Sequence, residues 1–320
     1  MIRSSPHRAS GRAARFQPVV RALLVFMGLS GEPLLAQPFR AQNVPPASPS
    51  LEAQQTFQAK IDGQARLLAN DPRLRRVPEH KRRALIEFIV GNVLFVATHE
   101  LGFALLSEMS LPTVSGPEAA ADDFAILTVL KLGENDFSDR ILIEAAKGWF
   151  TSARREKRAG GMPHYYDRHG FNLRRAYRIV CLVVGADPVR FKALAKETML
   201  PGGVRRTCGW DYDRASRSWV SVLMPHRRAA DQPKAQIEVN YGVARGNLEV
   251  YAQVFRNLRF LETIAELASD RFAWRAPILM EMQSCGDAGA TWTIATRTLQ
   301  VCYEMAQDFA ELYHELGQHQ

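Results

Sequence analysis

The chain has 320 residues, 47% of them hydrophobic and 23% charged, which excludes a disordered or fibrous protein and allows one substantial core or two modest ones. Its formal charge of +8 is half concentrated in the first 36 residues, where Arg3, Arg8, Arg12, Arg15 and Arg21 face the single acid Glu32 and so account for +4. The remaining +4 has no interleaved basic and aromatic repeat, which argues against a nucleic-acid partner.

Residues 1–36 read as a secretory signal peptide: an arginine-bearing stretch, the apolar run Ala22 to Leu29, then Pro33-Leu34-Leu35-Ala36 with cleavage after Ala36. Gly28, Gly31, Glu32 and Pro33 interrupt the run, so no permanent transmembrane anchor is expected and the location read from it is secreted or periplasmic. Residues 37–55 are proline-rich and read as a linker, leaving one folded domain over 56–320.

Helical periodicity dominates that domain. A long helix over Arg82 to Met109 is apolar nearly all round and therefore buried. Pro117 opens a second helix to about Leu132, as proline does in a first turn. A third runs from Asp136 to Arg158 and ends in Arg154, Arg155, Lys157 and Arg158, read as a solvated helix end. Past Gly160-Gly161-Met162-Pro163 and the loop His164 to His169, further helices are expected over Leu173 to Val184, after Asp187-Pro188, over Asp211 to Leu223 and over Asn247 to Ser269. Ala235 to Val243 alternates as a strand. Pro277 to Ser284 and Ala290 to Thr296 read as a hairpin of two strands, followed by a helix over Leu299 to Leu316. The fold class is α+β, mainly α-helical, with a small antiparallel hairpin or sheet.

Four cysteines allow three pairings, of which Cys181–Cys208 with Cys285–Cys302 is the most sequence-local and the simplest. Disulfides agree with export. No Cys-x-x-Cys occurs, which argues against a structural zinc site.

Chemistry concentrates in Thr98-His99-Glu100-Leu101-Gly102-Phe103. In a His-Glu-x-x-His helix two histidines one turn apart coordinate zinc, and the glutamate between them polarises a metal-bound water. His99 and Glu100 fit the first half of that pattern, and Phe103 stands where the second histidine belongs. The next helix carries Glu118 and Asp122, four residues apart and so on one face. Two helices joined by a short return pack antiparallel, which would bring Glu118 toward His99.

These residues resemble the His-Glu-x-x-His plus Glu-x-x-Ala-Asp arrangement of gluzincin peptidases. Over residues 85 to 315, His-Glu-Leu-Gly-Phe-Ala-Leu, Glu-Ala-Ala-Ala-Asp, Arg-Ala-Tyr-Arg-Ile-Val-Cys, Gly-Ala-Asp-Pro, Ser-Arg-Ser-Trp and Thr-Leu-Gln-Val-Cys-Tyr-Glu resemble an uncharacterised bacterial metallopeptidase family. The resemblance implies a zincin-like fold, zinc as cofactor, His99 and Glu118 as metal ligands, Glu100 as catalytic base and Asp122 as the partner that orients the ligating histidine. At Phe103 nothing carries over. Three rescues of the lost ligand are conceivable in sequence: Asp122 or Asp123 moving onto the metal, His164 or His169 reaching in, or a water filling the position. His169 is also a candidate outer-sphere donor to an oxyanion. The stretch Ala290 to Thr296 is a candidate edge for pairing with an extended peptide.

Two functions follow as expectations. One is an exported zinc metallopeptidase that hydrolyses peptide bonds by a metal-activated water. The other is a non-catalytic descendant that binds peptides or a cell-envelope partner.

Overall fold

The structure is a computed structural model that describes residues 51–113, 116–132, 136–158 and 172–317. The signal-peptide segment 1–36, most of the linker and the loop carrying His164 and His169 lie outside the described residues. Helix α1 (Leu51–Leu67) begins inside the stretch read as linker, just after its last proline, Pro49. The central element is α2 (Glu79–Glu108), whose apolar surface on nearly every side is explained by its neighbours: α1, α3 (Pro117–Leu132), α4 (Asp136–Arg158), α10 (Glu304–Gly317) and strand β3 (Ala290–Thr293) all pack on it. Its end is set by Ser110, which turns left-handed at φ 51° while the Leu111 amide donates to the Leu106 carbonyl.

Close approach of α2 and α3 depends on Gly102. A Cβ there would lie 3.1 Å from the Ala121 Cα, so only the missing side chain lets the helices cross at this depth. The arginines ending α4 are not simply solvated: Arg155 pairs with Asp308 at 2.5 Å and Glu315 at 2.7 Å, and Arg158 also reaches Glu315, tying α4 to α10.

Helices α5 (Asn172–Ala186), α6 (Lys192–Glu197) and α7 (Gly202–Leu223) follow. Helix α7 starts nine residues earlier than its periodicity suggests, because Gly202 and Gly203 occupy a first turn opened by Pro201 rather than a break. Cys181 and Cys208 form a disulfide across α5 and α7, where a Cβ on Gly185 would stand 2.1 Å from the Cys208 carbonyl oxygen. The expected helix over Asn247 to Ser269 is two, α8 (Glu249–Leu258) and α9 (Phe260–Arg271), separated by Arg259 in the left-handed region at φ 52°.

The sheet contains β1 (Ile237–Tyr241), β2 (Ile278–Gln283), β3 (Ala290–Thr293) and β4 (Thr298–Cys302) in the order β1-β2-β4-β3. It is mixed rather than antiparallel: β1 and β4 both run parallel to β2, and only β3 and β4 are antiparallel. The hairpin is therefore β3–β4, with β4 inserted between β2 and β3, and the last helix starts only at Glu304. Thr298 to Val301 alternates half-buried and buried side chains, a strand pattern too short to register against the helix that follows. The Cys285–Cys302 disulfide ties the β2–β3 connection to the end of β4.

Candidate functional site

Helix α2 places His99 and Glu100 in its buried middle, with only 3% and 6% of their surface exposed. Helix α3 turns Glu118 and Asp122 toward them. His99 Nε2 lies 3.5 Å from Glu118 Oε2, and Nδ1 lies 2.7 Å from Asp122 Oδ1. A third element closes the group: Arg175 of α5 places Nε 2.8 Å from Asp122 Oδ1 and Nη2 3.7 Å from Glu118 Oε2. Its guanidinium lies 4.7 Å from the centre of the Trp149 ring, which holds the cation from α4.

Burial alone would lower the pKa of the His99 imidazole, but the carboxylates of Asp122 and Glu118 outweigh it and raise the pKa above its ordinary value. For Asp122 burial pushes the carboxyl up, and the charges of His99 and Arg175 more than reverse that. Glu100 is pushed up to about 7, chiefly by burial and further by Glu118, against partial opposition from His99 and a backbone amide. That amide belongs to Trp292 of β3, which donates to Glu100 Oε2 at 2.8 Å. The Trp292 indole Nε1–H donates to Ser107 Oγ on the same helix at 2.8 Å, so the strand is fixed to α2 at two points. Trp292 faces away from β4 with its amide, so β3 presents its free edge to the helix that carries His99 and Glu100.

Phe103 lies one turn after His99 with its ring 5.1 Å away, edge to face, and half-buried against the core. Asp123 is no substitute donor, because Arg178 holds both its oxygens at 2.6 and 2.7 Å. Asp122 sits on the opposite nitrogen of His99 from Glu118 and is bound by Arg175. The other described histidines are elsewhere: His80 opens α2, His226 follows α7 and His314 is in α10. His164 and His169 lie outside the described residues. A second grouping of potential metal donors, Cys285, Cys302 and Glu304, holds no metal as it stands, since both sulfurs are in a disulfide and Glu304 accepts the amides of Cys285 and Gly286.

Whether these residues fit zinc is decided by counting donors. Two ligands on one zinc at about 2.0–2.2 Å stand about 3.4 Å apart in tetrahedral geometry, close to the separation of His99 Nε2 and Glu118 Oε2. Both atoms are buried without a hydrogen bond, as a pair of donors awaiting a cation would be. The third donor is missing, however, and Arg175 brings a fixed positive charge to the same carboxylates. The described residues therefore do not make a three-ligand zinc centre.

Sequence reading missed Arg175, Trp149 and Trp292. Arg175 and Arg178, one turn apart, match the neighbouring acids Asp122 and Asp123, a charge pattern that could have signalled the pairing. No local signal marks the two tryptophans.

The group thus consists of a buried helix bearing His99 and Glu100, a second helix bearing Glu118 and Asp122, and a flanking edge strand. Residues 69–223 match the model of a family described as "Putative metallopeptidase". Neither the characterised proteins nor the solved structures yield a match.

Proposed function

We propose that this protein is an exported member of a metallopeptidase family that binds extended polypeptide without cleaving it. The observation that carries the reading is the position of Arg175. Its guanidinium supplies, from within the fold, the positive charge that Glu118 and Asp122 would otherwise draw from a metal. Isolated buried carboxylates are costly, and their retention argues for a cation only where the protein has not provided one.

Polypeptide would add to the free edge of β3, with a peptide carbonyl taking the Trp292 amide that Glu100 now accepts. The two disulfides support a secreted or periplasmic location.

A peptidase is the second reading, favoured by one feature. Glu100, pushed up to about 7, has the proton affinity of a general base near neutral pH.

Metal content separates the two. Protein purified without chelator or metal-affinity resin is assayed by mass spectrometry beside Phe103→His. The binding reading expects an empty wild type. Near-stoichiometric zinc in the wild type, with peptide hydrolysis abolished by Glu100→Gln, would overturn it.

A further inference from the structure

Helix α7 buries one side against the core through Cys208, Ala215, Trp219 and Leu223. The opposite side faces solvent along a helix of 22 residues, about 33 Å long. On it Arg206, Trp210, Arg217 and Met224 follow one another at steps of four, seven and seven residues and so form one row, with Arg214 and Val220 flanking it.

Apolar side chains concentrate there. Nine large ones are exposed among the described residues, and four of them, Val204, Trp210, Val220 and Met224, belong to α7 or to the residue after it. Single exposed apolar residues are ordinary, whereas a group of them marks a contact surface. Trp210 is 59% exposed, while the other four tryptophans are buried or half-buried. The Arg214 guanidinium lies 4.5 Å from the centre of its ring.

Positive charge surrounds these side chains. Arg205, Arg206, Arg214 and Arg217 are all exposed, against a single exposed acid on the helix, Asp213. The other acid, Asp211, is half-buried, 3.7 Å from Arg178 of α5 and 3.2 Å from Arg214.

Both properties together select the occupant. A second copy in two-fold contact would set the arginines against their own equivalents. A nucleic-acid backbone would meet the arginines and leave Val204, Val220 and Met224 in water. An anionic lipid surface satisfies both, because its phosphates take the guanidinium groups while tryptophan and aliphatic side chains enter the boundary between headgroups and acyl chains. We propose that the outer face of α7 docks on the surface of an anionic lipid bilayer. The helix stays packed on α5 and tied to it by Cys181–Cys208, so the contact is peripheral and inserts side chains only.

The test uses the full chain as wild type, Trp210→Phe, and a double variant carrying Arg206→Gln and Arg217→Gln. All three positions are exposed, so each variant should keep the wild-type unfolding temperature. Co-sedimentation is measured with phosphatidylglycerol vesicles and with phosphatidylcholine vesicles. Wild type should bind the first only and be released by about 1 M sodium chloride, and the double variant should bind roughly thirtyfold more weakly. Phosphatidylglycerol vesicles with brominated acyl chains should quench tryptophan fluorescence in the wild type and leave Trp210→Phe nearly unquenched. Quenching at Trp210 separates docking through α7 from binding through the apolar run Ala22 to Leu29. No vesicle binding, binding that the arginine changes leave intact, or binding without quenching of Trp210 would overturn the proposal. So would self-association, or a preference for duplex DNA over vesicles, that the same variants abolish.

Discussion

The backbone amide of Trp292 donates to Glu100 Oε2 at 2.8 Å, joining residues 192 apart in sequence. The carboxylate that would face a metal-bound water in an active peptidase is thus engaged by the edge strand. The contact links the chemistry of α2 to the sheet, and it makes Glu100 a structural residue whatever its role in turnover.

The pH dependence of stability should follow from this. In metal-free protein Glu100 is pushed up to about 7 from 4.5, so between those values the folded state holds a proton that the unfolded state has released. Stability from this group is full below the lower value and falls as pH rises through the window, by at most about 3 kcal/mol. Glu100→Gln keeps an acceptor for the Trp292 amide and removes the titration. Urea unfolding at pH 5 and pH 8 should show a smaller difference for the variant, and an identical difference would refute the assignment.

Arg175 should matter more than a surface arginine. Its side chain and that of Asp122 are 7% and 11% exposed, so Arg175→Met leaves buried carboxylates uncompensated and should cost about 3–5 kcal/mol. Asp122→Asn in the same background should restore part of the loss. A double variant as unstable as the sum of the two single changes would show that the residues do not act on each other.

Helix spacing offers a paired test. Gly102→Ala places a Cβ 3.1 Å from the Ala121 backbone and should destabilise by about 1–3 kcal/mol. Gly209→Ala in α7 meets nothing within 4 Å and should stabilise by about 0.5–1 kcal/mol. Equal effects of the two changes in thermal unfolding would mean that the α2–α3 crossing does not depend on Gly102.

The disulfide across α5 and α7 constrains residues 27 apart. Replacing both Cys181 and Cys208 by Ala should lower stability by about 3.5 kcal/mol on the chain-entropy estimate. Denaturant titration checks this. A loss below about 1 kcal/mol would mean that packing of Gly185 against Cys208 holds the helices without the bond.

Local chemistry made much of the fold legible. The bounds of α3 and α4 agree with their sequence reading, because Pro117 fixes a first turn and α4 carries a strong apolar stripe. The four-residue spacing of Glu118 and Asp122 placed both on the face that meets His99, and the loss of a donor at Phe103 was visible without coordinates. Strand order was not, because β4 pairs with β2 and β3 through backbone hydrogen bonds that leave no mark in a five-residue segment. The sequence by itself determined most of the helices and that Glu118 and Asp122 share a helix face, since these follow from helical period and side-chain chemistry. Only the tertiary structure decided what neutralises them. Arg175 lies 53 residues from Asp122 and Trp292 lies 192 from Glu100, and a buried charge is compensated by whatever the packing brings within a few ångströms, at any distance along the chain.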